Sequence, residues 1–274
     1  AIASVSEVTA ETSLTVSEPA GTQRFAVPPS ASAGVAGMLA FIVDRLGLAK
    51  RCFDVHLQLR VPAAMGLGSS ASAAVAIARA FDHAFTLGLD DAAVNSIAFD
   101  CEKLAHGDPS GIDNTLATYG KPVLFRRSAT PQVRQIAMAG GLPLVIAASG
   151  KRGITRDQVA AVRQRFEQSR NSYDALFDQM DAISLAGADA LAKGDYATLG
   201  PLMNVCHGLL NALQVSTPEL ETMVDIARTH GATGAKLTGS GGGGSIVALC
   251  PGTVADVEAA LDRAGYRIVR MTAE

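Results

Sequence analysis

The sequence predicts strands and helices mixed within two domains, residues 1–150 and 151–274, joined in the loop from Ser149 to Gly153. Three stretches carry that expectation. Val55, Leu57 and Leu59 alternate with His56, Gln58 and Arg60 as a strand with one buried face, and a glycine-serine loop then feeds an alanine-rich helix. Long helical patterns fill Thr155 to Lys193 and Leu199 to Leu213. From Ala235 to Met271 the chain reads strand, glycine loop, strand, helix, strand.

The elements follow in order. Leu14 and Val16, then Phe25 and Val27, are alternating apolar positions of strands that turn at Pro19 to Gly21. After Pro28-Pro29, the residues Val35, Met38, Leu39, Ile42 and Leu46 have helical spacing, and Gly47 marks the stop. The alanine-rich helix runs to Phe85. Asp90 or Asp91 caps the next one, with Val94, Ile97, Cys101 and Leu104 on one face. Glu102 falls near its end, where a carboxylate opposes the helix dipole. Gly107, Pro109 and Gly111 break the chain, and a short helix restarts at Ile112. Val123 to Phe125 and Leu142 to Ala147 read as strands.

In the second half, Val159, Val162 and Phe166, then Tyr173, Leu176, Phe177 and Met180, line helical faces. Ser216-Thr217-Pro218-Glu219 combines a hydroxyl cap, an early proline and a first-turn acid, so it starts a helix that ends at Gly231. Ala235 to Leu237 and Ile246 to Leu249 are strands flanking Thr238 to Ser245. A helix near Val254 to Ala264 and a strand at Tyr266 to Met271 close the chain.

Composition narrows the class. A hydrophobic content of 48% and a net charge of −3 are ordinary for a soluble globular enzyme. The apolar runs Phe25–Val43 and Val61–Ala78 contain glycine, proline or serine, so neither reads as a membrane span. Cys52, Cys101, Cys206 and Cys250 are widely spaced and form no C-x-x-C pair, so they read as buried thiols in a reducing, cytoplasmic compartment and not as a disulfide framework or zinc site. No secretory leader is visible. Residues 121–170 carry ten Lys or Arg against Asp157 and Glu167. That basic segment could face an anionic substrate, whereas Arg163, Arg165 and Arg170 read as a solvated helix face. Few aromatics and no recognisable binding module argue against nucleic acid.

The chemistry sits in glycine loops and acids. Gly66 and Gly68 let backbone amides approach a ligand, and the helix that follows offers its positive end to an anion; the alternative is a tight turn into a core helix. Gly239 to Gly244 satisfies G-x-G-x-x-G, but a strand follows it instead of a helix, so it is not a dinucleotide fingerprint. Carboxylates at Glu102 and Asp113 with hydroxyls at Ser69, Ser70 and Ser110 fit magnesium-assisted phosphoryl transfer. Ser110 and Asn114 have a competing role in stabilising their turn, and His106 one as an interior histidine. His56, His83, His207 and His230 show no ligand spacing and read as structural or exposed.

Pro62-x-x-x-Gly66-Leu67-Gly68-Ser69-Ser70-Ala71 resembles the nucleotide-binding motif of the GHMP kinases, and Lys236-Leu-Thr-Gly-Ser-Gly-Gly-Gly-Gly244 resembles their third motif. Within that superfamily, Glu102…His106-Gly-Asp-Pro-Ser110-Gly-Ile-Asp113-Asn114 is similar to the mevalonate kinase signature. So are Val215-Ser-Thr-Pro-Glu-Leu220 and Thr155-Arg-x-x-Val159. The family's first motif, a Pro-Gly-Lys strand followed by Gly-Glu-His, has no match, and Ala1-Ile2-Ala3 looks like the strand just after it. A truncated N-terminus is therefore expected, with a pseudokinase or non-catalytic nucleotide-binding module, or a related GHMP kinase such as phosphomevalonate kinase, as the alternative readings.

The resemblance implies an α+β fold of two domains, the first like ribosomal protein S5 domain 2 and the second ferredoxin-like. It implies ATP and Mg2+ as cofactors, mevalonate as substrate, and a homodimer as a candidate assembly. Ser70 and Glu102 would hold the metal, and Asp113 would be the general base. Gly66, Leu67, Gly68, Ser69 and Ser70 would cradle phosphates, with Gly239, Ser240, Gly241 and Gly242 approaching from the second domain. His106, Ser110, Lys151 and Thr155 would face the acceptor; separately, the basic segment offers Lys151 and Arg152, beside Thr155 in the loop joining the two halves, as cations for a carboxylate.

Overall fold

A computed structural model describes residues 1–18, 21–61, 65–128, 131–138, 140–151 and 153–270. The expected turn at Pro19-Ala20, the motif residue Pro62, Arg152 and the end of the last strand at Met271 lie outside the described residues.

The chain divides into two compact units: Ala1–Ala63 with Gly68–Gly120, and Ala64–Leu67 with Lys121–Glu274. The division falls after Gly120 rather than in the Ser149–Gly153 loop. The physical reason is strand pairing, because the strand at Leu144–Ala148 pairs with later strands, as described below. Lys121 onward therefore leaves the first unit, and the loop residues Met65 to Leu67 are counted with the second.

In the first unit, β1 (Ile2–Val8), β2 (Ser13–Glu18), β3 (Gly21–Ala26) and β4 (Cys52–Gln58) form a sheet in the order β1-β4-β2-β3. Only the central β4–β2 pair is parallel. The alternation read from sequence is what the pleat requires: Val55 and Leu57 are buried, whereas His56 and Gln58 face out. Against this sheet lie α1 (Gly34–Arg45), α2 (Ser69–Phe85), α3 (Asp91–His106) and α4 (Ile112–Tyr119). The alanine-rich α2 touches β1, β4 and each of the other three helices. Its small side chains at Ala71, Ala73, Ala74 and Ala78 are buried, which lets neighbours close in on several sides. Phe53 of β4 and Phe81 of α2 meet edge to face with ring centroids 4.9 Å apart, and both are fully buried.

Asp90 caps α3 by accepting the Ala93 N–H at 2.8 Å. Val94, Ile97 and Cys101 fill the core as their spacing requires, but Leu104 is 53% exposed. The interior stripe of α3 continues instead to Glu102, two residues earlier, so the helix buries a carboxylate where the sequence suggested a leucine.

The second unit has β5 (Val123–Arg126) and β6 (Gln132–Gln135) as a hairpin, and β7 (Leu144–Ala148), β8 (Gly234–Thr238), β9 (Ser245–Leu249) and β10 (Arg267–Ile268) as an antiparallel sheet in the order β10-β7-β9-β8. That order is the ferredoxin-like arrangement of two split β-α-β halves. Its helices are α5 (Thr155–Gln168), α6 (Arg170–Lys193), α7 (Tyr196–Ala212), α8 (Pro218–Thr229) and α9 (Val254–Arg263). Thr217 caps α8 with Pro218 in its first turn, as the sequence predicts. Val145, Leu220, Met223, Leu237, Ile246 and Leu261 form the core. Among the described residues no helix is long and apolar enough to cross a membrane.

Replacing Asp90 by Ala should lower the unfolding free energy of the transition that includes α3 by about 1 kcal/mol, read from the urea midpoint, because the first turn loses its acceptor. Leu104→Ser should change it by less than about 0.5 kcal/mol, since that side chain is already in water.

Candidate functional site

Each unit carries one part of the residue set singled out from the sequence. In the first unit, α2 follows Gly68, whose φ of +67° is left-handed and which, as a glycine, offers no side chain to cap the helix. The start of a 17-residue helix is thus left for backbone amides and their dipole. The Asp113 carboxyl lies beside this start: a Cβ built on Gly68 would stand 3.7 Å from Asp113 Cγ. Asp113 comes from the first turn of α4, just after the left-handed Gly111. Thr115 secures that turn by donating its hydroxyl to the Gly111 carbonyl at 2.7 Å.

Glu102 is 3% exposed and comes from the last turn of α3. Its Oε2 lies 3.6 Å from His106 Nε2, one helical turn on, while its buried Oε1 has no hydrogen-bond partner among the described residues. Burial pushes the Glu102 carboxyl above its ordinary range; the Ser70 hydroxyl and His106 pull it down, and the Asp113 charge adds to the rise. Asp113 opens to solvent, yet the protein around its carboxyl raises its pKa as well, with His106 acting against the rise. Ser70, Glu102, His106 and Asp113 therefore form one electrostatic group. Two acids in it have a raised affinity for protons, and by the same physics for any cation that replaces one.

A buried carboxylate oxygen without a donor beside a serine hydroxyl suits a hard cation. Among the described residues no three His, Cys, Asp or Glu side chains form a metal cage. The donor set fits a magnesium ion that takes one carboxylate, one hydroxyl and phosphate oxygens, rather than a closed protein site.

Ser110 accepts the Ile112 N–H at 3.3 Å, which is the turn-stabilising role. Asn114 is buried and donates to Asn95 Oδ1 at 2.7 Å, tying α4 to α3. A cavity of about 690 Å³ in the first unit is lined by residues such as Val27, Pro29, Phe41 and Lys50, and Ser70, Glu102 and Asp113 are not among them.

In the second unit the two glycine stretches meet. A Cβ on Gly66 would stand 2.8 Å from the Thr238 carbonyl oxygen, and one on Gly239 would stand 2.6 Å from Gly66 Cα. Both have positive φ, +70° and +77°, so space and backbone conformation each demand glycine. Farther along, Gly241 packs on the Val215 carbonyl and Gly242 donates its N–H to that same oxygen at 2.8 Å. Gly244 donates to Lys151 O at 2.8 Å, and Ser240 Oγ donates to Thr155 Oγ1 at 3.2 Å.

The four residues of the second glycine loop expected to meet phosphates, Gly239 to Gly242, are therefore not equivalent. Gly239 and Ser240 are accessible, while Gly241 is buried and the Gly242 amide is already used. Lys151 is ion-paired with Glu219, so its ammonium is held by the first turn of α8. Of the arginines read as a solvated face, Arg165 instead donates to the Leu213 carbonyl at 2.8 Å. Among the histidines set aside, His207 is buried; its role is taken up below. Gln158 was not singled out from the sequence, yet it packs on Gly242. Its position within Thr155-Arg-x-x-Val159 was the available signal.

Residues 33–121 match the family described as GHMP kinases N terminal domain, and residues 188–267 match GHMP kinases C terminal. The chain is 37% identical over 217 residues to a mevalonate kinase of Pyrococcus horikoshii, covering 77% of this chain and 64% of that relative. It is 38% identical over 212 residues to a mevalonate kinase of Methanothermobacter thermautotrophicus, covering 77% and 68%. The crystal structure of L. major mevalonate kinase in complex with R-mevalonate superposes with a TM-score of 0.79 at 31% identity, over 95% of this chain and 82% of that one.

The raised Glu102 pKa makes a signed prediction for the metal-free protein. Folding binds a proton between the ordinary carboxylate value of 4.5 and the raised folded value, so stability falls as pH rises through that window. Glu102→Gln should therefore raise Tm relative to the parent, more at about pH 8 than at about pH 4. An equal difference at both pH values would contradict the assigned burial cost.

Proposed function

Because the chain belongs to the GHMP kinase family, we propose that it transfers the γ-phosphoryl group of ATP to the hydroxyl of mevalonate, giving 5-phosphomevalonate for isoprenoid precursor synthesis. The observation that carries this reading is the grouping of Ser70, the buried and half-unpaired Glu102, His106 and Asp113 beside the uncapped start of α2. The similarity to mevalonate kinases over most of the chain supports the choice of acceptor.

In this mechanism the start of α2 binds phosphate oxygens through its backbone amides. Ser70 and Glu102 would hold a magnesium ion, which would supply charge neutralisation on the phosphate oxygens. Asp113 accepts the proton of the acceptor hydroxyl as that oxygen bonds to the γ-phosphorus and the bond to the β-phosphate oxygen breaks, releasing ADP. A carboxyl whose pKa lies above the usual aspartate range is a better proton acceptor for this step than an unperturbed one. His106 holds both carboxylates toward their charged forms. The free thiols at Cys52, Cys101, Cys206 and Cys250 support a reducing, cytoplasmic setting.

A different acceptor within the family is the second reading. The ion pair between Lys151 and Glu219 favours it, because it occupies a cation otherwise suited to the mevalonate carboxylate.

Asp113→Asn should abolish turnover, by about a hundredfold or more, while leaving ATP affinity within about twofold, because the amide cannot take the proton. A coupled assay across mevalonate, phosphomevalonate, homoserine and galactose checks both parts. Near-parental kcat in the variant would remove Asp113 from the base role, and activity on galactose alone would overturn mevalonate as acceptor.

A further inference from the structure

β8 is the outer strand of its sheet and leads directly into Thr238-Gly239, yet its free edge is not bare. Asn204 bridges the first part, donating from Nδ2 to Thr233 O at 3.1 Å and accepting the Ala235 N–H at 3.0 Å. Arg228 Nη2 donates to Ala235 O at 2.8 Å. His207 Nδ1 accepts the Leu237 N–H at 3.3 Å, and Lys236 Nζ donates to Leu237 O at 2.6 Å. Side chains thus meet each outward backbone group from Thr233 O to Leu237 O, as a neighbouring strand would.

The helix that supplies two of them is fitted to the task. Gly200, Asn204 and His207 lie on one stripe of α7, four and three residues apart. At the start of the stripe the backbones nearly touch: a Cβ on Gly234 would stand 2.2 Å from the Gly200 carbonyl oxygen. His207 is 3% exposed, and because its Nδ1 is an acceptor its ring proton sits on Nε2, 3.1 Å from Glu221 Oε1. Burial lowers its pKa, with Arg228 and Lys236 acting in the same direction and Glu221 against them, so the neutral ring that the contact needs is favoured.

We propose that Asn204, His207, Arg228 and Lys236 are positioning residues for nucleotide binding: they stand in for a missing strand along β8 and so fix Thr238 and Gly239 against Gly66. This rests on the kinase reading above. Ordinary edge strands are blunted by charge, proline or shortness. Here every outward group is paired, which suits a strand whose end must hold a glycine-to-glycine contact with no spare space.

The test uses the whole chain with magnesium and ATP. His207→Leu removes the acceptor for the Leu237 N–H, and Asn204→Leu removes both contacts one turn away, so a failure of either variant to fold leaves the other to decide. Each should speed hydrogen exchange at its own strand amide, Leu237 or Ala235, and raise the ATP Kd by about tenfold, with the acceptor KM within about twofold. His207→Gln, whose amide oxygen can accept in place of Nδ1, should recover most of the affinity.

Faster exchange with unchanged ATP affinity would overturn the proposal and leave the edge as stability alone. A parent chain that binds no ATP would instead overturn the kinase reading, and this proposal with it.

Discussion

A carboxylate kept out of water must be matched by a charge or by donors, or it will take up a proton. Glu102 meets this constraint only in part. Its neighbours Ser70 and His106 favour the charged form, but burial outweighs them and one oxygen stays unpaired. The first unit is organised so that this cost is tolerated. α2 packs against two strands and three helices through small side chains, and the Phe53–Phe81 contact closes the far part of the core. A well-packed hub supplies the apolar burial that lets one position keep a buried, poorly matched carboxylate at the expense of stability.

The second unit solves a different problem. Its glycine loop has no room for side chains, and its backbone is strained for any residue but glycine at Gly239, Gly241 and Gly242. A glycine-rich segment is also entropically costly to order. Order is imposed from outside, by hydrogen bonds from the loop to Val215 and Lys151 and by the side-chain ladder along β8. Flexibility of composition and rigidity of placement are therefore compatible in the same eight residues from Thr238 to Ser245.

Much of this was legible in the sequence, for local reasons. β4 announced itself by strict alternation, α3 and α8 by Asp90 and Thr217 as caps, and the glycine motifs by composition and order. What could not be read depends on distant partners. β6 is the polar, wholly exposed QVRQ, which becomes a strand only because β5 pairs with it. The unit division moved for the same reason, since β7 finds its partners in β9 and β10. Leu104 departs from the buried stripe that Val94, Ile97 and Cys101 follow, because helical spacing alone does not say where along a helix that stripe stops facing the core. Lys151 pairs with a residue far along the chain, and the polar stripe of Asn204 and His207 in α7 gains meaning only beside a strand edge.

The most direct measurement is ATP binding by calorimetry, with and without magnesium, in the parent chain and in Glu102→Gln. If the buried, half-paired carboxylate is a seat for a hard cation, magnesium tightens ATP binding in the parent and has little effect in the variant, while metal-free affinities agree within about twofold. An equal loss of affinity with and without magnesium would contradict this, and would make Glu102 a structural residue.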